Sequence, residues 1–361
     1  MKRLIIANTY YQVIFAIQMK LTIFKKDYVD IIITDHSRNA DYFSNKLKEC
    51  KCFENVYYVN TLGSGDRRNK FQKVWDILSF SFGTKNRFNF FVQDIKQPYY
   101  DEMLVFNYDM RTYGIFSVLS RYNSKINLSR YEEGILTYNS EKLFTPARKV
   151  VGLMRKMQNK AVIENSFSNF YCFYPELYDG VFSVKRVPLI EGENKIKDIL
   201  SVMFDINKKN MAYSQKYIFF TSVLDFEGGE PVGEYELVCK IAKLVGKENL
   251  LIKIHPRDKR TIYTDNNFCV DKNSCIPWEA IQLSGNFSDK VFMTVNSGSV
   301  LSGSTMSKNA VRTYFMFKLC NVNNNDLGKK SVYDINRLLS QKSMKKLLNK
   351  VKIAERLEDI L

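Results

Sequence analysis

Histidine is almost missing from these 361 residues: there are two, His36 and His255. Imidazole chemistry near neutral pH must use one of them, since no other side chain with an unshifted pKa titrates there. Long apolar runs are missing too. No uncharged stretch approaches the roughly 18–20 residues that span a bilayer. Residues 1–20 read as a strand and a helix rather than a secretory signal, because Asn8 to Gln12 places polar groups where an apolar core would run. The seven cysteines (50, 52, 172, 239, 269, 275 and 320) are odd in number and form no C-x-x-C pair. That argues against a disulfide framework and a structural zinc site. Acidic residues are the scarcer charge, 38 against 54 basic ones, which leaves a net charge of +16.

A chain this basic is drawn to anionic partners: nucleic acid, an acidic membrane surface or a phosphorylated small molecule. Its charge is scattered, and no helix-turn-helix, RRM or zinc pattern appears, so a nucleic-acid-binding protein is the third reading. Two basic stretches, Arg148 to Lys160 and Lys342 to Lys352, carry apolar residues at helical spacing. Solvated helix faces look like this, and so do helices that rest on anionic lipid. The expected location is therefore cytoplasmic, peripheral on the inner face of the plasma membrane.

Short apolar runs alternate with longer amphipathic segments. Leu4 to Ala7, Asp30 to Thr34, Val56 to Val59, Met103 to Phe106 and Ile126 to Leu128 read as strands. Thr9 to Leu21, Ala40 to Glu49 and Phe71 to Phe80 read as helices. The scheme repeats with strands at Tyr217 to Phe220, Leu250 to Ile254, Val291 to Val295 and Thr313 to Phe317, and helices at Gly233 to Val245 and Val332 to Leu361. Such alternation predicts parallel βαβ units. Residues 174–215 are poor in strand signal and hold Pro175, Gly180, Pro188 and Gly192, which places the domain crossing there. The expected domains are 1–180 and 181–361, with ligand in a cleft at the carboxyl ends of the strands.

Four segments follow strands and can carry chemistry. Lys253-Ile254-His255-Pro256-Arg257 puts an imidazole where proline ends the strand and can begin a helix, an elbow suited to phosphate. A loop-capping histidine is the plainer alternative. Glu132-Glu133-Gly134 gives two carboxylates that point apart and a glycine that lets the chain turn; one can act as a general base, or the pair is a solvated turn. Glu227-Gly228 is a second acidic turn that competes for the base role or is a surface loop. Asn296-Ser297-Gly298-Ser299 offers hydroxyls and backbone N–H groups to a phosphate, or caps a helix. Trp278, in Ile276-Pro277-Trp278-Glu279, fits the core better than a ligand stack. Gly63-Ser64-Gly65 lacks the third glycine of a dinucleotide fingerprint. His36 is a surface histidine, and Asn323 to Asp326 a polar loop.

In this order, Glu132-Glu133-Gly134, His255-Pro256 and Asn296-Ser297-Gly298-Ser299 resemble the acidic-acidic-glycine, histidine-proline and serine/threonine motifs of the bacterial sialyltransferases. The chain looks most similar to glycosyltransferase family 52, with likeness to the bacterial polysialyltransferases. Thr9-Tyr10-Tyr11-Gln12 is similar to their Thr-x-x-Gln start, and Pro277-Trp278-Glu279 to their Pro-aromatic-Glu segment. The resemblance implies the α/β GT-B fold, two Rossmann-like domains facing each other across a cleft, the nucleotide sugar on the C-terminal one. It implies inverting, metal-independent transfer from CMP-sialic acid, with no further cofactor, to a galactose-terminated capsule or lipo-oligosaccharide, lipid-linked in some cases. A protonated His255 would offset charge on the leaving phosphate, and Glu133, with Glu227 as second candidate, would be the base. Lys253, Pro256, Arg257, Glu279, Asn296, Ser297, Gly298 and Ser299 would hold the donor; Thr9, Gln12, Glu132 and Gly134 would line the acceptor side. Glu133 and Glu227 stand where these families often have Asp, and Phe226 replaces the first acidic residue of the second turn. The alternative enzyme uses another nucleotide sugar, such as a UDP-hexose, with Lys253 and Arg257 assisting the diphosphate. The sequence leaves room for a homodimer.

Overall fold

The computed structural model describes residues 1–59, 69–82, 95, 98–107, 110–134, 137–138, 146–178, 180–192, 195–206, 213–273, 276–307 and 309–361. Gly63-Ser64-Gly65 lies outside them. The chain divides into two compact units, one of Met1–Glu133 with Thr137–Pro188, the other chiefly Leu189–Leu361.

In the first unit, β1 (Lys2–Ala7), β2 (Tyr28–Thr34), β3 (Asn55–Val59), β4 (Glu102–Val105), β5 (Asn127–Tyr131), β6 (Phe167–Cys172) and β7 (Ser183–Arg186) form one sheet, ordered β3-β2-β1-β4-β5-β6-β7. Every strand pair in it is parallel. Its helices include α1 (Tyr10–Leu21), α2 (Ala40–Glu49), α3 (Lys70–Phe82), α4 (Met110–Leu119) and α5 (Pro146–Met157). Leu4, Ile5, Ile6 and Ala7 are all buried, as an unbroken apolar strand covered on both faces must be. The chain order reverses between β1 and β4, which places the topological switch beside the Asn8–Thr9 turn.

The second unit repeats the winding. Strands β8 (Tyr217–Phe220), β9 (Leu250–Lys253), β10 (Cys269–Val270), β11 (Val291–Thr294), β12 (Arg312–Phe315) and β13 (Val351–Ile353) are ordered β10-β9-β8-β11-β12-β13, all parallel. Helices α6 (Lys195–Phe204), α7 (Glu234–Val245), α8 (Trp278–Ser284), α9 (Ser299–Met306) and α10 (Asp326–Ser340) connect or cover them.

Two elements differ from the sequence reading. The first unit runs past residue 180 because β7 pairs with β6, Asn169 opposite Ser183 through Cys172 opposite Arg186. The C-terminal segment is not helical throughout: Val351-Lys352-Ile353 adds an edge strand to β12. Two β-branched residues flank an exposed lysine there, the pattern of a protected sheet edge.

Helix α1 is buried from Tyr10 to Met19. Phe15 sits at its centre, fully buried, 4.8 Å from the ring of Phe173 and 6.0 Å from that of Tyr131. Phe15→Ala should destabilise the chain by about 3–5 kcal/mol, read from urea denaturation, through lost burial and the cavity it leaves.

Candidate active site

On the first unit the acidic turn directly follows β5. Its two carboxylates have different surroundings. Glu132 is fully buried. Its oxygens accept from the Tyr11 hydroxyl at 2.7 Å, the Phe173 N–H at 2.9 Å and the Tyr138 hydroxyl. Burial raises its pKa and these hydrogen bonds oppose the rise. A carboxyl so fully engaged fastens α1 to the strand ends rather than meeting a ligand.

Glu133 is only partly covered. Its Oε1 accepts from Gln12 Nε2 at 2.7 Å and from Thr9 Oγ1 at 3.3 Å, and its backbone N–H donates to Thr137 Oγ1 at 3.0 Å. Gln12 has one orientation open to it, because its own Oε1 accepts from the Asn8 N–H at 2.6 Å. Thr9 is the N-cap of α1, accepting from the Gln12 N–H. Burial pushes the Glu133 carboxyl up to about 7, against the pull of Gln12, Thr9 and the Arg130 charge. Gly134 follows at φ 112°, a backbone that L side chains rarely adopt. Thr9, Gln12, Glu132, Glu133 and Gly134 are thus brought together. The set presents one carboxylate that ionises near neutral pH, held by a helix N-terminus.

On the second unit, His255 follows β9. Its N–H donates to Thr221 Oγ1, beyond β8, at 2.8 Å. Pro256 occupies the second position of a turn closed by the Asp258 N–H to His255 O at 2.9 Å, and the next helix begins only at Ile262. The strand-to-helix elbow expected from Pro256 is therefore a β-turn, a position that proline's fixed φ suits equally. The Arg257 N–H donates to His255 Nδ1 at 3.1 Å, so Nδ1 is an acceptor and Nε2 carries the proton. Burial, then the Arg257 charge, lowers the imidazole pKa, with Glu227 and Asp258 pulling the other way. Burial thus favours the neutral ring, with Nε2–H as donor, over the protonated imidazole expected from the sequence.

The flanking cations are committed. Lys253 Nζ lies 2.7 Å from Asp271 in a buried pair, and Arg257 holds both oxygens of Glu227 at 2.8 and 3.1 Å. Glu227, the second base candidate, is thereby an ion-pair partner. Beyond β11, Ser297 N–H donates to Thr294 Oγ1 at 2.9 Å and Asn296 Nδ2 to Ser331 Oγ at 2.9 Å. Gly298 precedes α9 in open space, where a Cβ would meet nothing. Glu279 is buried, its pKa raised by desolvation and opposed by its own N–H, the Ser302 hydroxyl and Lys253. Trp278 is packed among Tyr213, Phe220, Phe287 and Phe292, a core residue. His36 is exposed. Among the described residues no three His, Cys, Asp or Glu side chains group as metal ligands.

Two residues were passed over in the sequence. Asp225 accepts from the N–H groups of Val232, Gly233, Glu234 and Tyr235, which fills the N-terminus of α7. Asn325, in the loop read as merely polar, is fully buried. Its Nδ2 donates to the carbonyls of Leu224, Glu227 and Glu230 at 2.8–3.1 Å, and its Oδ1 caps α10 by accepting from the Gly328 N–H. The only signal for it was an asparagine before a helix.

Two Rossmann-like units, each with polar side chains beyond the carboxyl ends of its strands, make up the GT-B fold. The chain belongs to the alpha-2,8-polysialyltransferase family, whose model matches residues 3–288, and it is a sialyltransferase by that membership. No curated protein matches it. Solved structures similar to it include a sialyltransferase from Photobacterium damselae (13% identity, 98% of each chain, TM-score 0.48). Another is an alpha/beta-galactoside alpha-2,3-sialyltransferase from Photobacterium phosphoreum (12%, 100% of this chain and 99% of that one, 0.47). A UDP-GlcNAc 2-epimerase from Methanocaldococcus jannaschii is also similar (15%, 95% and 94%, 0.42), and likeness at this level does not decide between donors.

Asn325→Ala should lower stability by about 2–3 kcal/mol, because three carbonyls, that of Leu224 buried, and a helix cap lose their partner. A denaturation curve within about 0.5 kcal/mol of wild type would contradict the anchoring role.

Proposed function

We propose that the chain transfers sialic acid from CMP-sialic acid to a glycan hydroxyl, with inversion and without a metal. Glu133 takes the acceptor proton as the glycosidic bond forms, and His255 Nε2–H hydrogen-bonds the departing phosphate. The observation that carries this reading is the Glu133 carboxyl, fixed by Thr9 and Gln12 with a pKa of about 7. A base works best when its pKa lies near the working pH.

On the donor side, a single phosphate suits a neutral donor and backbone dipoles around Ser297–Ser299 better than a diphosphate does. Lys253 and Arg257, the cations that a UDP-sugar would need, each already hold a carboxylate. This favours CMP-sialic acid over the UDP-hexose alternative. The acceptor is a galactose-terminated surface glycan, capsule or lipo-oligosaccharide, presented on lipid at the inner leaflet. The family's name supports a second acceptor, a glycan already ending in sialic acid and extended through an α2,8 linkage.

CMP release from CMP-sialic acid should persist in EDTA and depend on acceptor. Lactose and sialyllactose, offered in parallel, separate the two acceptors. Glu133→Gln should lower kcat/KM by about 10²–10⁴, and His255→Ala by about 10²–10³. The base is active when ionised, so the wild-type rate should be flat above pH 7 and fall tenfold per unit well below it. No turnover, with thermal stabilisation by UDP and none by CMP, would reject the donor assignment.

A further inference from the structure

Helix α3 is amphipathic with its apolar stripe turned to solvent. Phe71, Val74, Trp75, Leu78 and Phe82 are exposed, Phe71 at 87% and Trp75 at 66%, and their spacing puts them on one face. The opposite face buries Asp76, Ser79 and Ser81 beside Phe80. A helix shaped only by folding places these the other way round.

Helix α5 extends the face. Lys149, Val150, Leu153, Lys156 and Met157 are exposed along it, and its sequence contains no acidic residue. The one carboxylate on α3, Asp76, is buried. Arg155 turns inward, Nη1 to Phe80 O at 2.8 Å and Nη2 to Ser120 Oγ at 2.8 Å, and Gln158 Nε2 reaches Ser81 O at 3.4 Å. The two helices therefore form a fixed platform of aromatic and aliphatic side chains with lysines among them. Next to it lies an open polar cavity of about 510 Å³, lined by Ser124, Lys125, Asn127, Lys156, Asn159 and Lys160. Lys156 belongs to both. Among the described residues no helix is long and apolar enough to cross a membrane.

We propose that the α3–α5 face docks on an anionic phospholipid bilayer. Phe71, Trp75 and Leu78 enter the boundary between headgroups and acyl chains, Lys149 and Lys156 meet the surface charge, and the lysine-lined cavity receives a headgroup phosphate. Charge selects this occupant. Each lysine near an anionic leaflet contributes about a factor of five in affinity, whereas a second copy docked on the same patch would set lysine against lysine. Only α5 lies in a basic stretch visible in sequence; the aromatic contribution comes from α3. The inference stands apart from sialyl transfer, since it uses no residue of the candidate active site.

The chain holds two tryptophans, and Trp278 is buried, so the exposed Trp75 reports on the bilayer. The full chain should co-sediment with phosphatidylglycerol–phosphatidylethanolamine vesicles and not with phosphatidylcholine. Brominated acyl chains should quench its fluorescence. Trp75→Phe should remove the quenching and keep the binding. Lys149→Glu with Lys156→Glu should weaken binding at least about 25-fold while circular dichroism stays unchanged. The proposal is overturned by no binding to anionic vesicles, by equal binding to neutral ones, or by a stable dimer in light scattering that Trp75→Ser dissociates.

Discussion

The contact on which the candidate chemistry depends is the pair of hydrogen bonds from Thr9 and Gln12 to Glu133. It joins residues more than 120 positions apart, at the carboxyl ends of β1 and β5. Burial disfavours the charged carboxylate, and the two donors return part of the loss. The balance leaves an acid that ionises near neutrality. Either factor alone would spoil it: a fully solvated carboxylate would be too weak a base, and one without donors would stay protonated. Glu132 next to it makes the arrangement rigid, since its three donors fasten α1 and the Phe173 backbone to the same turn.

The second unit solves a different electrostatic problem. It is rich in cations around His255, and three of them are matched to acids: Lys253 to Asp271, Arg257 to Glu227, Arg260 to Asp258. The loop that carries Glu227 is held from below by Asn325, and Asp225 occupies the start of α7. On the proposed reading, the ring N–H of His255 and the hydroxyl and amide groups near Ser297 face the donor.

Much of this fold was legible because buried parallel strands announce themselves as short apolar runs. Leu4 to Ala7 and Leu250 to Lys253 are examples. Strands β6 and β7 were not, because Phe167-Ser168-Asn169 and Ser183-Val184-Lys185-Arg186 are polar or half-exposed near the sheet edge, where burial imposes no pattern. The motifs marked the strand ends correctly as places, but composition cannot show partners. Lys253 and Arg257 read as free cations until the structure supplied Asp271 and Glu227, and Asn325 read as loop until its burial showed. The reversed polarity of α3 is likewise invisible without the fold, since periodicity fixes a stripe and not the side it faces.

The most direct measurement is the titration of Glu133 by NMR of the chain labelled at its glutamate carboxyl carbons, with Glu133→Gln for assignment. A midpoint near 7 is expected, moving upward in Gln12→Leu, which removes the donor that stabilises the ionised form. A midpoint near the ordinary value of 4.5, unmoved by that substitution, would contradict the claim that α1 and burial together tune this carboxyl into a base.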